Sequence, residues 1–124
     1  YIKVTSIKLP YNEVFALSGL RVFGIGNGSK PNEVENINPV RHENGLDCLV
    51  RFDKVDNATG YVVRFGVTED KLYSSYLVYD KNEVLLTTLN AGQDYYLTVD
   101  SFNENGVCEG KNIYKIWVLY LKLY

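Results

Sequence analysis

The strongest constraint on this chain is a rhythm. From Val34 onward, short segments of alternating apolar and polar residues recur about every 8–12 residues, each closed by a turn signal, which is the spacing of a strand sandwich or barrel. Nowhere is a helical period sustained over about ten residues. The segments are Ile37–Arg41, Cys48–Phe52, Tyr61–Gly66, Leu72–Tyr79, Val84–Leu89, Tyr95–Phe102 and a last one from about Ile113 to Val118. Between them lie Asn44-Gly45, a tight-turn signal, and the polar runs 56–60, 80–83, 90–93 and 103–106. Eleven tyrosines and many β-branched residues favour strands as well. Seven short strands in roughly 85 residues predict an all-β sandwich.

Composition narrows function by exclusion. With 46% hydrophobic and 23% charged residues, the 124-residue chain has an ordinary globular balance. A net charge of −2 is not the footprint of a nucleic-acid binder. One histidine, two cysteines and no methionine leave little material for a metal centre or a histidine-based triad, so no cofactor is expected. No apolar run reaches the ~18 residues of a membrane-spanning helix. The most apolar stretch, Ile116–Leu121, is short and bracketed by Lys115 and Lys122.

Three regions are expected. Residues 1–24 read as two strands, Tyr1–Ile7 and Ala16–Phe23, and the alternation already under way at Tyr1 suggests a piece of something longer. Residues 25–33 are dense in glycine, asparagine and serine and read as a linker. The spacing Gly24-x-Gly26-x-Gly28 matches neither the dinucleotide nor the Walker phosphate pattern. Residues 34–124 form the sandwich, with an apolar tail whose Leu119, Leu121 and Leu123 must pack somewhere or leave a sticky edge.

Alternation sets the register. With Phe52 inward, Val50 and Cys48 are inward; Tyr61, Val63 and Phe65 face the same core, as do Val84, Leu86, Tyr95, Leu97 and Val99. Asp100 falls outward. Cys48 and Cys108 then belong to opposite ends of the sandwich, too far apart for a disulfide, and two free thiols are expected.

At this point the residues resemble a family. Leu89-Asn90-Ala91-Gly92-Gln93-Asp94-Tyr95 is similar to the corner between the fifth and sixth strands of fibronectin type III domains, where a tyrosine hydroxyl bonds back to the backbone. The continuation Tyr95-x-x-x-Val99-x-Ser101-x-Asn103-x-x-Gly106 and the earlier Ala58-x-Gly60-Tyr61-x-Val63-x-Phe65 also resemble that family, with Phe52 where it carries a buried tryptophan. The resemblance covers about residues 34–116. It implies a seven-stranded, immunoglobulin-like sandwich in which Phe52, Tyr61, Leu89, Gly92, Tyr95 and Val99 are structural. The first 24 residues resemble the last two strands of a discoidin-like galactose-binding sandwich; the other reading is an extra hairpin packed on the module. Together the two resemblances imply the carboxyl-terminal region of a secreted bacterial glycoside hydrolase, placing the protein outside the cell, in the periplasm or on the surface.

Candidate sites are sparse. Tyr73 and Tyr79 share one face of the fourth segment and are candidates for carbohydrate contact, since sugar C–H groups stack on exposed rings. His42 belongs in a solvated loop. Asp53, Asp56, Asp70, Asp80 and Asp94 lie on turns, which offers no facing carboxylate pair for glycoside chemistry. Asp53-x-x-Asp56-Asn57 lacks a calcium-binding loop. The expected function is a non-catalytic accessory or spacer module whose partners are neighbouring domains; a carbohydrate-binding module acting on polysaccharide and a protein adhesion module are the alternatives.

Overall fold

In the computed structural model Cys48, Val50, Val63, Leu86, Leu97 and Val99 are completely shielded from solvent. They come from four segments of the alternating pattern, so the inward register read from the sequence is the one adopted. The structure describes residues 2–5, 20, 22 and 24–118. Most of the expected amino-terminal strand pair, and the apolar tail from Leu119, lie outside the described residues.

Eight strands follow one another and no helix occurs among the described residues: β1 Asn38–Arg41, β2 Cys48–Arg51, β3 Gly60–Gly66, β4 Ser74–Tyr79, β5 Glu83–Leu86, β6 Tyr95–Asn103, β7 Gly106–Cys108 and β8 Tyr114–Ile116. One sheet has the order β1-β2-β5, and the other has β4-β3-β6, with both β7 and β8 pairing along β6. All pairs are antiparallel. Register is set where core residues meet: Cys48 faces Leu86 across β2 and β5, and Val63 faces Val99 across β3 and β6. Pro39, which cannot donate to a ladder, sits on the edge strand β1.

The two sheets close on an aromatic core. Phe52 and Tyr61 meet edge to face with centroids 4.8 Å apart, and Phe65 lies 6.1 Å from Tyr76 and 6.5 Å from Tyr95. Phe52, just past the end of β2, is buried. Val84 is only partly buried against this core.

Two expectations need correction. The strand expected from about Ile113 to Val118 is the shorter β8, and an unexpected strand, β7, precedes it along β6. Between them Gly110 lies against β6, where a Cβ would overlap Thr98 Oγ1 and stand 2.6 Å from the Val99 carbonyl oxygen. Asp100 does point away from the core, yet it is buried. Arg64 lies across it with Nε–Oδ2 at 2.6 Å and Nη2–Oδ1 at 2.9 Å, and the Gly110 N–H donates to it at 2.8 Å. Strand boundaries also differ: β4 begins at Ser74 and β5 ends at Leu86.

Candidate functional site

Among the described residues, long-range hydrogen bonds gather at the two ends of β6. At its first end the expected corner forms. The Asn90 N–H donates to the Tyr95 hydroxyl at 2.8 Å, Leu89 is buried, and Gly92 adopts a φ of 78° that a side chain would strain. Arg41 reaches across from β1 and fastens this corner. Its guanidinium stands 5.5 Å from the Tyr95 ring centroid and donates to the carbonyls of Asn90 at 2.7 Å, Gln93, and Gly45. One side chain thus ties the β1–β2 turn to the β5–β6 corner.

The last described residues, after β8, lie beside this corner. Asp94 accepts the Val118 N–H at 2.7 Å and pairs with Lys115 at 3.4 Å. The Lys115 ammonium lies 3.8 Å from the Trp117 ring centroid and 5.7 Å from that of Tyr96, a cation between two exposed or half-exposed rings. The Val118 amide, with Lys115 adding to it, holds the Asp94 carboxyl below its usual range. These contacts form a latch on β8 and the residues just after it.

At the other end of β6 the segment expected to be a linker is bound. It has no regular structure, but Gly26 N–H donates to the Asn105 carbonyl at 3.1 Å and Gly28 N–H to Asn105 Oδ1 at 2.9 Å. Asn103 and Asn105 donate to the Ser29 carbonyl at 3.0 and 3.3 Å, Ser101 Oγ donates to the Asn32 carbonyl, and Pro31 is fully buried. The approach is close: a Cβ on Gly26 or Gly28 would stand 2.5 or 2.6 Å from the Asn105 amide, which would have to shift to admit it. We call residues 24–32 the strap.

The two anchorages sit at opposite poles. β6 spans nine residues, so strap and latch are separated by roughly 27 Å at the usual strand rise.

The residues singled out for chemistry do not converge. Tyr73 is 84% exposed and Tyr79 53%, but they are six positions apart, up to ~20 Å along an extended chain. Tyr79 also meets the edge of Phe102 at 5.9 Å. His42 is exposed on the β1–β2 turn. Asp53 accepts from Asn36 Nδ2 at 2.6 Å and, with Glu33, Glu35, Lys54 and Asp56, lines a shallow polar depression. Both cysteines are free. Burial pushes the Cys48 thiol up to about 11, while Cys108 is partly exposed on β7. The strap and the latch were not anticipated. Their donors and acceptors stand 69 to 79 and 21 to 24 positions apart, beyond any local signal.

No protein-family model matches this chain, and no curated protein matches it. Solved structures do. An Fn3-like protein from Clostridium thermocellum superposes with a TM-score of 0.65 at 14% identity, covering 77% of this chain and all of that one. The FN1–FN3 domains of chicken CNTN1 give 0.64 at 19% identity over 72% of this chain, which spans about a third (33%) of that longer segment. An fn3 domain of human contactin 1 gives 0.56 at 14% identity, covering 86% and 91% of the two chains. With two antiparallel sheets, a tyrosine corner and these neighbours, the chain has the fibronectin type III fold.

Proposed function

We propose that this chain is a non-catalytic spacer module that holds neighbouring domains of a secreted bacterial glycan-processing protein at a set separation. The observation that carries the reading is the pair of anchorages at opposite poles of β6, the strap on Asn103 and Asn105 and the latch on Asp94. A module that fixes the chain both where it enters and where it leaves transmits orientation, which a flexibly tethered one does not. The bacterial Fn3-like neighbour supports the setting by fold alone. The protein would then work outside the cytoplasm, in the periplasm or at the cell surface, with neighbouring domains as its partners.

A second reading rests on Tyr73, whose ring is largely exposed. It makes the chain a carbohydrate-binding module that stacks sugars on Tyr73 and Tyr79. Affinity electrophoresis of the intact chain through a panel of plant and host polysaccharides separates the two. The spacer reading expects unretarded migration in every gel. Retardation by one polymer that disappears in Tyr73→Ala or Tyr79→Ala would replace it with the binding module.

A further inference from the structure

The sequence contains three Asn-Gly pairs, Asn27-Gly28, Asn44-Gly45 and Asn105-Gly106. An asparagine followed by glycine is open to attack on its side-chain amide by the next backbone nitrogen, because glycine offers no steric obstruction. The structure treats the three pairs differently. Asn44 is locked: its Oδ1 accepts the N–H groups of Leu46 at 2.9 Å and Asp47 at 3.1 Å, its Nδ2 donates to Asp47, and the Gly45 N–H is held by the His42 carbonyl. Asn105 is held through both side-chain atoms by the strap, and Gly106 is buried in the β6–β7 ladder. Asn27 is exposed on a bend, and among the described residues its side chain has no hydrogen-bond partner. Only the attacking group is restrained, by the single bond from Gly28 N–H to Asn105 Oδ1.

We propose that Asn27 is a deamidation site gated by Asn105. When the strap lifts, the Gly28 amide nitrogen loses its proton to hydroxide and attacks Asn27 Cγ. A new N–Cγ bond forms, the Cγ–Nδ2 bond breaks, and ammonia departs with the proton it needs. Water then opens the cyclic imide at either carbonyl, leaving aspartate or isoaspartate at position 27. No electrons are transferred, and water is the only co-reactant. The isoaspartate product inserts an extra methylene into the backbone between the Gly26 and Gly28 N–H groups. Those two donors now seat together on the Asn105 carbonyl and Oδ1 at 3.1 and 2.9 Å. With the added length they no longer seat together, so the change releases the strap. The site stands on this geometry whether or not the module is a spacer.

The test is incubation of the intact chain in mildly alkaline buffer, followed by peptide mapping for the mass gain of amide-to-carboxylate exchange. Asn44 is the internal reference, so general loosening of the fold cancels in the ratio of the two rates. In the wild-type chain Asn27 is expected to convert fastest of the three. Asn105→Ala removes the gating acceptor, and Gly26→Ala wedges a Cβ against Asn105 from the other side. Each should raise the Asn27-to-Asn44 ratio about fivefold, the exposure gained by losing one ordinary hydrogen bond. An unchanged ratio in both variants, or Asn44 converting before Asn27 in the wild type, would overturn the proposal.

Discussion

Tyr95→Phe removes one oxygen atom and leaves the core ring, and the Arg41 guanidinium above it, in place. What is lost is the acceptor for the Asn90 N–H at 2.8 Å. An N–H left without a partner in a sealed interior costs about 1–3 kcal/mol. Here the bond is only part-buried and Asn90 itself is exposed, so water can reach the orphaned donor and the lower half of that range applies. The expected loss is about 1.5 kcal/mol, or about 6–12 °C of melting temperature in a domain of this size. Thermal and urea unfolding followed by circular dichroism would measure it. Tyr61→Phe is the matched control, since its hydroxyl accepts the Val55 N–H at the same 2.8 Å. A double-mutant cycle with Arg41→Ala sharpens the test. Tyr95 holds the N–H of Asn90 and Arg41 holds its carbonyl, so the two act on one peptide segment. The combined loss should depart from additivity by about 0.5 kcal/mol or more. A Tyr95→Phe chain as stable as wild type, or strictly additive losses, would refute the claim that this corner is fastened from both sides.

Three further outcomes are expected. Asp100→Ala strands the half-buried Arg64 and the Gly110 N–H together; destabilisation of about 2 kcal/mol in urea is expected, and Asp100→Asn should recover part of it by still accepting from Gly110. Asp94 has a carboxyl pKa lowered by folding from its ordinary 3.8, so its contribution to stability is complete above that unfolded value and is lost as pH falls through the folded one. A stability profile of Asp94→Asn should therefore fall less steeply than wild type below about pH 4, and parallel profiles would contradict the latch. The Cys48 thiol, buried and pushed up to about 11, should resist a maleimide at neutral pH while Cys108 reacts. Mass spectrometry should then count one adduct on the native chain and two after denaturation.

Much of the fold is legible because its signals are local. Alternation in Cys48–Phe52, Tyr61–Phe65 and Tyr95–Val99 sets which side chains face inward, and a one-residue slip would put every one of them into water. The corner from Leu89 to Tyr95 lies within seven consecutive residues, and the structure forms the bond its pattern implies. Three features resist such reading for one physical reason: their partners lie in other segments. Asp100 looks solvated by alternation, but Arg64, 36 positions away, covers it. Strand β7 forms against Ser101–Asn103 of β6, and Gly110 just beyond it rests on Thr98 and Val99. The run 24–32 has the composition of a free linker, and its donors and acceptors are supplied by Ser101, Asn103 and Asn105. The anchorages that carry the functional reading are thus tertiary, and composition alone points away from one of them.

The central claim is that chain entry and exit are held at fixed, opposite poles. Spin labels at Ser29→Cys and Val118→Cys, in a Cys108→Ser chain whose buried Cys48 stays unlabelled, report the pole-to-pole distance by double electron–electron resonance. Both substitutions leave intact the backbone groups that make the anchoring bonds. The account predicts one narrow distribution centred near ~30 Å, the length of β6 plus the label arms. A broad or multiple distribution would mean that the strap or the latch swings freely, and would contradict it.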